Sequence, residues 1–256
     1  MRLSRCWRVI DVDVELFKDG KRLDGRDVED LRKPLKLEVG VLQKANGSAY
    51  MEWGKNKILA GVFGPKEAIP KHLANPERGV IRCIYTMSTF AGLEDHGRMG
   101  PNRRSIEISK VMREALENVV MLEKFPSTII EVYVIVLQSE GGTRVSSLTA
   151  AAAALMDAGI PMKEPIAAVA AGKAGGKVIL DLNKDEDNYG EADVPMAFTK
   201  SGDIVLFQMD GKLSKEELET AIDYGWKGTE KLFELQRKAF EEEYSEPLDK
   251  KLRMVE

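Results

Sequence analysis

Cysteine and histidine are nearly absent from this chain, with two of each among 256 residues. Cys6 and Cys83 form no CxxC pair and stand in no metal-ligand spacing with a histidine. Neither a disulfide framework nor a thiolate zinc site is indicated, and a reducing cytoplasm is the expected setting. Neither His72 nor His96 lies in a GxSxG or Cys-His context, so a nucleophilic triad is unsupported. Long apolar runs are missing too: none approaches the ~20 residues of a membrane span. Charges at Arg2, Arg5, Arg8, Asp11 and Asp13 interrupt the apolar N-terminus, and neither a signal peptide nor an anchor is expected. An excess of positive charge is absent as well. The formal net charge of -4 speaks against coating nucleic acid by global attraction, while leaving room for a local basic site. The stretch Gly172-Lys173-Ala174-Gly175-Gly176-Lys177 lacks Walker A spacing and the following Ser or Thr, and reads as a hairpin tip.

What is present has the composition of an ordinary soluble protein, 43% apolar and 31% charged, long enough for one large domain or two small ones. Residues 1–34 read as an N-terminal arm carrying a dense run of charges from Lys21 to Asp27. Turn-bounded apolar runs at 37–43, 48–53, 57–63 and 79–87 read as strands of an antiparallel meander. A charged, glycine-rich loop leads to a helix at 105–121, then to a nearly continuous β-branched run at 129–137, expected to be a strand buried on both faces. The helix at 143–158 contains Ala150 to Ala154, small enough to lie close against a sheet. The rhythm then recurs, with strands at 166–171, 178–182, 192–198 and 203–209 and a long helix after the capping box Ser214/Glu217. The expectation is an α/β (α+β) fold, with 35–244 forming one domain of two sheet-plus-helix halves and 245–256 a charged tail.

Three constellations bear on chemistry. In Glu186-Asp187-Asn188-Tyr189-Gly190-Glu191-Ala192-Asp193, two carboxylates stand six residues apart. On a straight helix or strand that spacing keeps them apart. A reversal at 188–190 would set Asp187 and Asp193 across a hairpin, where they would need a shared cation such as magnesium. The commonplace alternative is an acidic surface turn. In Gln138-Ser139-Glu140-Gly141-Gly142-Thr143-Arg144, a buried strand gives way to a helix at a glycine pair. Open N-H groups, the helix dipole, the Thr143 hydroxyl and the Arg144 fork would suit a phosphate; the alternative is an ordinary strand-to-helix turn. Arg103-Arg104 oppose the dipole at another helix start, which favours a polyanion backbone there unless Glu107 one turn on neutralises them. Lys66, Lys71, His72, Arg78 and Arg82 form a weaker basic cluster diluted by Glu67 and Glu77, and a solvated loop is the simpler reading.

These motifs together resemble the RNase PH family, and within it the catalytic RNase PH-type subunits of archaeal exosomes. The resemblance rests on Arg22-Leu23-Asp24-Gly25-Arg26, Arg103-Arg104 leading into Ile106-Glu107-Ile108-Ser109-Lys110, Gly141-Gly142-Thr143-Arg144, and Glu186-Asp187 through Gly190 to Asp193, and it covers residues 20–244. It implies an RNase PH-like fold of the type found in domain 2 of ribosomal protein S5. It implies 3'-to-5' phosphorolysis of RNA, with inorganic phosphate as co-substrate and nucleoside diphosphates as products, and a reverse reaction that adds 3' tails. Asp187 and Asp193 then match catalytic, metal-binding aspartates for Mg2+ or Mn2+, with Glu186 and Glu191 as bystanders. Gly142, Thr143 and Arg144 match the phosphate site. Arg103 and Arg104 match RNA-backbone arginines, and Lys66 and His72 fall where relatives narrow the RNA channel. The implied partners are single-stranded RNA, an inactive paralogue in a trimer of heterodimers forming a hexameric ring, and S1- or KH-type RNA-binding cap proteins. The alternatives are a free-standing RNase PH that trims transfer RNA and a ring subunit that binds RNA without catalysis.

Overall fold

The computed structural model describes residues 16–18, 21–92 and 100–245. The expectations for the first fifteen residues, for His96 and for the tail beyond Ser245 lie outside the described residues. In the arm, β1 (Phe17–Lys18) and β2 (Lys21–Arg22) pair as a small ribbon. The first half continues with β3 (Leu35–Val39), β4 (Gly47–Trp53), β5 (Asn56–Glu67), β6 (Val80–Met87), α1 (Arg103–Val119), β7 (Thr128–Gln138) and α2 (Thr143–Asp157). The second half holds β8 (Ile166–Ala174), β9 (Lys177–Leu180), α3 (Lys184–Tyr189), β10 (Ala192–Thr199), β11 (Ile204–Phe207), β12 (Asp210–Gly211) and α4 (Lys215–Tyr244).

The first sheet runs β3-β4-β5-β7-β6, so the expected meander holds for three strands and then breaks. Strand β6 does not pair with β5; it lies at the edge, parallel to β7. The cause is α1: a helix between two strands makes a crossover, and a crossover returns the chain parallel. The β-branched run of β7 takes the position between β5 and β6, where most of its residues are buried, as its composition predicts. In the second sheet, β8 and β9 form a hairpin with its tip at Gly175-Gly176, and β10 joins on the other side of β8. The full order is β11-β10-β8-β9, with β12 added at the start of β10.

Helix α2 joins the two sheets. It packs on β4, β5 and β7 on one side and on β8 and β10 on the other. A helix that is apolar on all sides must be covered on all sides. The run Ala150 to Ala154 is fully buried and leaves room for both sheets to approach. Of its deeply placed polar side chains, Thr149 ties the helix to the second sheet: its hydroxyl accepts the Ala168 N-H at 3.0 Å and donates to the Val145 carbonyl at 3.0 Å. Helix α4 covers β8, β9 and β10 and reaches β3, and its start carries the expected box between Ser214 and Glu217. Helix α1 lies against β6 and β11. The ends of β7 and β9 and the starts of α2 and α3 thus meet at one edge of the molecule.

Because α2 has no free face, added volume has nowhere to go. Ala151→Leu is expected to lower stability by ~1–3 kcal/mol or more through forced displacement of the sheets, measured as the shift in the urea midpoint.

Candidate functional site

Between β7 and α2 the backbone passes through Gly141 and Gly142 with φ of 78° and 62°, a left-handed conformation that glycine takes without strain. Gly142 is the N-cap of α2 and no side chain caps the helix. Its first N-H groups therefore remain open toward an anion, at the positive end of the dipole. The Thr143 hydroxyl accepts from the buried Tyr85 hydroxyl at 2.9 Å, which leaves its own proton for another acceptor. Behind the turn, Asn56 donates to the Gly141 carbonyl at 2.7 Å and accepts the Glu140 N-H at 2.6 Å. Arg32 also donates to the Glu140 and Gly141 carbonyls. A Cβ on Gly141 would lie 2.8 Å from backbone atoms of Asn183 and Lys184, so the turn rests directly on the start of α3.

Arg144 lies in the first turn of α2, next to this glycine turn. Its Nη1 donates to Gln208 Oε1 at 2.6 Å, its Nη2 donates to Glu107 Oε2 at 3.1 Å, and Gln208 Nε2 donates to Glu107 Oε1 at 3.3 Å. This closed ring draws on α1, α2 and the chain after β11. Arg144 Nε is buried with no hydrogen-bond partner. Glu107 is therefore engaged by Arg144, and the alternative in which it neutralises Arg103 and Arg104 does not hold. Those two arginines stand exposed in the first turn of α1. That helix is capped by Asn102, which accepts the Ser105 N-H at 2.8 Å, and its first turn has no acidic residue. Arg104 is close enough to act electrostatically on both Tyr85 and Asp187.

The acidic segment is not a hairpin. Asn183 caps α3, accepting the Asp185 and Glu186 N-H groups at 3.0 Å each, and Glu186 accepts the Asn183 N-H at 2.8 Å. Asp187 thus sits on a single helical turn and Asp193 on β10. The reversal at Gly190 uses an ordinary φ of -74°. Glycine is needed there for space, since a Cβ would lie 2.8 Å from the Lys173 carbonyl oxygen. Glu186 is no bystander: it is buried and paired with Arg22. Glu191 accepts the Gly176 N-H at 2.8 Å.

On β10, Asp193 is in register with Asp210 of β12. The Asp193 carboxyl is pushed up to about 7, first by burial and then by the charge of Asp187; Arg144 opposes this and Asp210 adds to it. Asp187 is also raised, chiefly by loss of surrounding water, against the pull of Arg104, Arg144 and Arg32. Among the described residues, no three His, Cys, Asp or Glu side chains could enclose a metal ion by themselves. Two carboxylates, one of which raises the proton affinity of the other, do fit magnesium or manganese, which bind oxygen and complete their shells with water and substrate phosphate.

Lys66 and His72 are not brought to these aspartates. Lys66 pairs with Ile129 near the start of β7, whereas the glycine turn follows the far end of that strand, ~30 Å away at ~3.3 Å per residue. There Lys66 Nζ meets Glu131 at 2.6 Å, and Arg82 shares the same carboxylate at 3.4 Å. His72 is exposed on a short turn of 3-10 helix, Lys71–Leu73. Sequence reasoning passes over Arg32, Asn56, Tyr85, Asp181, Gln208 and Asp210. The unexpected helix α3 does have a signal, the Asn183/Glu186 capping box.

The raised Asp193 carboxyl has a consequence for stability. Between the usual carboxylate range near ~4 and about 7, the metal-free folded chain keeps a proton that the unfolded chain has lost, so stability falls as pH rises through that window. In the presence of a chelator, the melting temperature should fall from pH 5 to pH 8 by more in the parent chain than in Asp193→Asn. Equal falls in the two would contradict the assignment.

Comparison with known proteins agrees with this architecture. Residues 32–161 match domain 1 of the 3' exoribonuclease family, RNase PH, and residues 164–228 match its domain 2. The exosome complex component Rrp41 of Pyrococcus furiosus is 54% identical over 228 residues, 89% of this chain and 90% of that protein. Among solved structures, rice (Oryza sativa) Rrp46 superposes with a TM-score of 0.75 at 28% identity, covering 84% of this chain and 98% of that one. A chain of the Archaeoglobus fulgidus exosome with RNA bound to the active site gives a TM-score of 0.73 at 26% identity, covering 84% and 92%. With both family domains in tandem and more than half of the aligned residues identical to those of a relative of matching length, the chain is a member of the RNase PH family of 3' exoribonucleases.

Proposed function

We propose that this chain is the catalytic subunit of an archaeal exosome, degrading RNA from its 3' end by phosphorolysis. One observation carries the reading: a helix start with no side-chain cap bears Arg144, which acts electrostatically on both Asp187 and Asp193. An anion site next to a carboxylate pair provides for a nucleophile that is itself a phosphate. The N-H groups of α2, the Thr143 hydroxyl and Arg144 would hold inorganic phosphate. Arg104, with Arg103 beside it, would bind the RNA backbone at the start of α1. One phosphate oxygen attacks the terminal phosphorus, a P-O bond forms, the bond to O3' breaks, and the freed O3' takes a proton. A nucleoside diphosphate leaves and the RNA is one nucleotide shorter. Asp187 and Asp193 would hold Mg2+ or Mn2+, which when bound supplies positive charge to offset the negative charge developing on the scissile phosphate and leaving oxygen. Because one phosphate linkage replaces another, the same residues support the reverse addition of nucleotides from diphosphates.

The 54% identical relative is an exosome complex component, which supports an assembled state for this chain. So does the surface beside edge strand β6, where Ile69, Leu73 and Ile106 are 72%, 39% and 60% exposed. An open strand edge flanked by apolar side chains suits a neighbouring subunit, here an RNase PH-type paralogue alternating with this chain in a six-membered ring beneath S1- or KH-type cap proteins. In that arrangement Lys66 and His72 lie along the approach of single-stranded RNA, remote from the reacting bond. Among the described residues no helix is long and apolar enough to cross a membrane, and we place the complex in the cytoplasm.

Labelled RNA, magnesium and phosphate with the assembled ring should yield nucleoside diphosphates, and withholding phosphate should stop the reaction. Monophosphates formed without phosphate would instead identify a hydrolase, and no product at all would favour a scaffold subunit. Asp193→Asn should lower turnover by a factor on the order of 10² or more while leaving RNA affinity within about twofold; near-normal rates would remove it from the site. Arg103→Ala and Arg104→Ala should each weaken RNA binding and flatten its dependence on log salt by about 0.7 for every phosphate that is no longer neutralised.

A further inference from the structure

The arm takes no part in the reaction as described, yet it supplies the structure's deepest ion pairs. Among the described residues five charged side chains are buried, and four of them, Arg22, Arg32, Asp181 and Glu186, belong to one network. Arg26 lies beside both carboxylates, 3.6 Å from Asp181 and 3.8 Å from Glu186, whereas the two buried arginines end at different halves of the site. Arg22 Nε donates to Glu186 Oε1 at 2.6 Å and its Nη2 donates to Glu186 Oε2. Its remaining hydrogen bonds go to the Leu180 carbonyl at 2.6 Å and the Asp181 carbonyl at 2.8 Å. Arg32 Nη2 donates to Asp181 Oδ1 at 2.7 Å, and its Nη1 reaches the Glu140 carbonyl and, at 3.3 Å, the Gly141 carbonyl.

We propose that Arg22 and Arg32 are positioning residues that divide the site between them. Arg22 sets Asp187 through Glu186, and Arg32 sets the anion turn through the Glu140 and Gly141 carbonyls. The inference rests on reading Asp187 as a cation ligand and the glycine turn as the phosphate site. Helix α3 has six residues, too few to hold its own shape in water, so the direction of Asp187 is fixed from outside by whatever grips its neighbour. Arg22 is that grip. At the turn, the peptide plane that carries the Glu140 carbonyl also carries the Gly141 N-H, and the next plane joins the Gly141 carbonyl to the Gly142 N-H. Holding the carbonyls on one side therefore aims the N-H groups on the other. Both tasks require one side chain to meet a carboxylate and backbone carbonyls together, which the planar five-donor guanidinium can do and a lysine ammonium cannot.

The test uses the full chain with two probes, Mn2+ for the cation site and inorganic phosphate for the turn, each titrated by calorimetry. Arg22→Lys should weaken Mn2+ binding by about tenfold or more and leave phosphate binding within about twofold. Arg32→Lys should do the reverse. Hydrogen exchange should rise at 184–189 in the first variant and at 140–143 in the second. Should Arg22→Lys melt below the assay temperature, Glu186→Gln keeps the shape, weakens the same pair and carries the same expectation. Variants that leave both affinities unchanged, or lose both in step with the melting temperature, overturn the division of roles while leaving the site intact. A parent chain that binds neither probe overturns the reading of the site, and this inference with it.

Discussion

A single buried carboxylate, that of Asp181, sets the terms for the structure around it. It accepts the Arg32 backbone N-H at 2.6 Å, the Arg32 guanidinium, and the Trp53 indole N-H at 2.8 Å. An ionised side chain this deep is tolerated only when paired and hydrogen-bonded, and removing one partner of such a pair costs about 3–5 kcal/mol. Trp53 ends β4 in the first sheet, Asp181 follows β9 in the second, and Arg32 comes from the arm. The chain therefore cannot bury Asp181 without bringing the two sheets and the arm together at one edge. The left-handed φ of 56° at Asp181 is one that aspartate tolerates better than most residues, and from there the chain runs into α3. The glycine turn is fastened to the same point by Arg32.

Much of this is legible in the sequence wherever the determining interactions are local. The β-branched run of β7, the glycine pair, the alanine run of α2 and the cap of α4 announce themselves because period, turn chemistry and capping act over a few residues. The acidic segment misleads because its two aspartates draw the eye as a pair, away from the Asn183/Glu186 box just before them; that box makes Asp187 helical and removes the hairpin. The meander fails at β6 because strand order depends on where α1 returns the chain, which no strand records in its own sequence. Arg32, Asn56, Asp181 and Gln208 are invisible for another reason. Their partners lie roughly a hundred positions away, and an arginine in a charged arm resembles any solvated arginine until the fold closes over it. The motif Arg22-Leu23-Asp24-Gly25-Arg26 can be matched to a family, but its place behind the site comes only from the structure.

The site also reconciles an acidic chain with a polyanionic substrate. Arg32, Arg104 and Arg144 lower the proton affinity of Asp187 while Asp210 raises it, and Asp193 feels Asp187 and Asp210 against Arg144, so charges of both signs are set against each other at one site. The acids gain from a cation and the arginines from anions, and a phosphodiester arriving with a divalent ion satisfies both. The ring of Arg144, Gln208 and Glu107 adds order to this. Two of the three guanidinium nitrogens are held by side chains from other elements, which fixes the plane of the fork before any ligand arrives. Focused charge of this kind needs no basic surface, and the formal net charge of -4 is compatible with RNA recognition confined to one site and shared with partners.

The central claim is that phosphate, and not water, is the nucleophile held at the start of α2. Running the degradation in 18O-labelled water with unlabelled inorganic phosphate tests it directly. Nucleoside diphosphates free of solvent oxygen at the phosphorus that was attacked are the predicted result, and solvent label carried into released nucleotides during cleavage would contradict it.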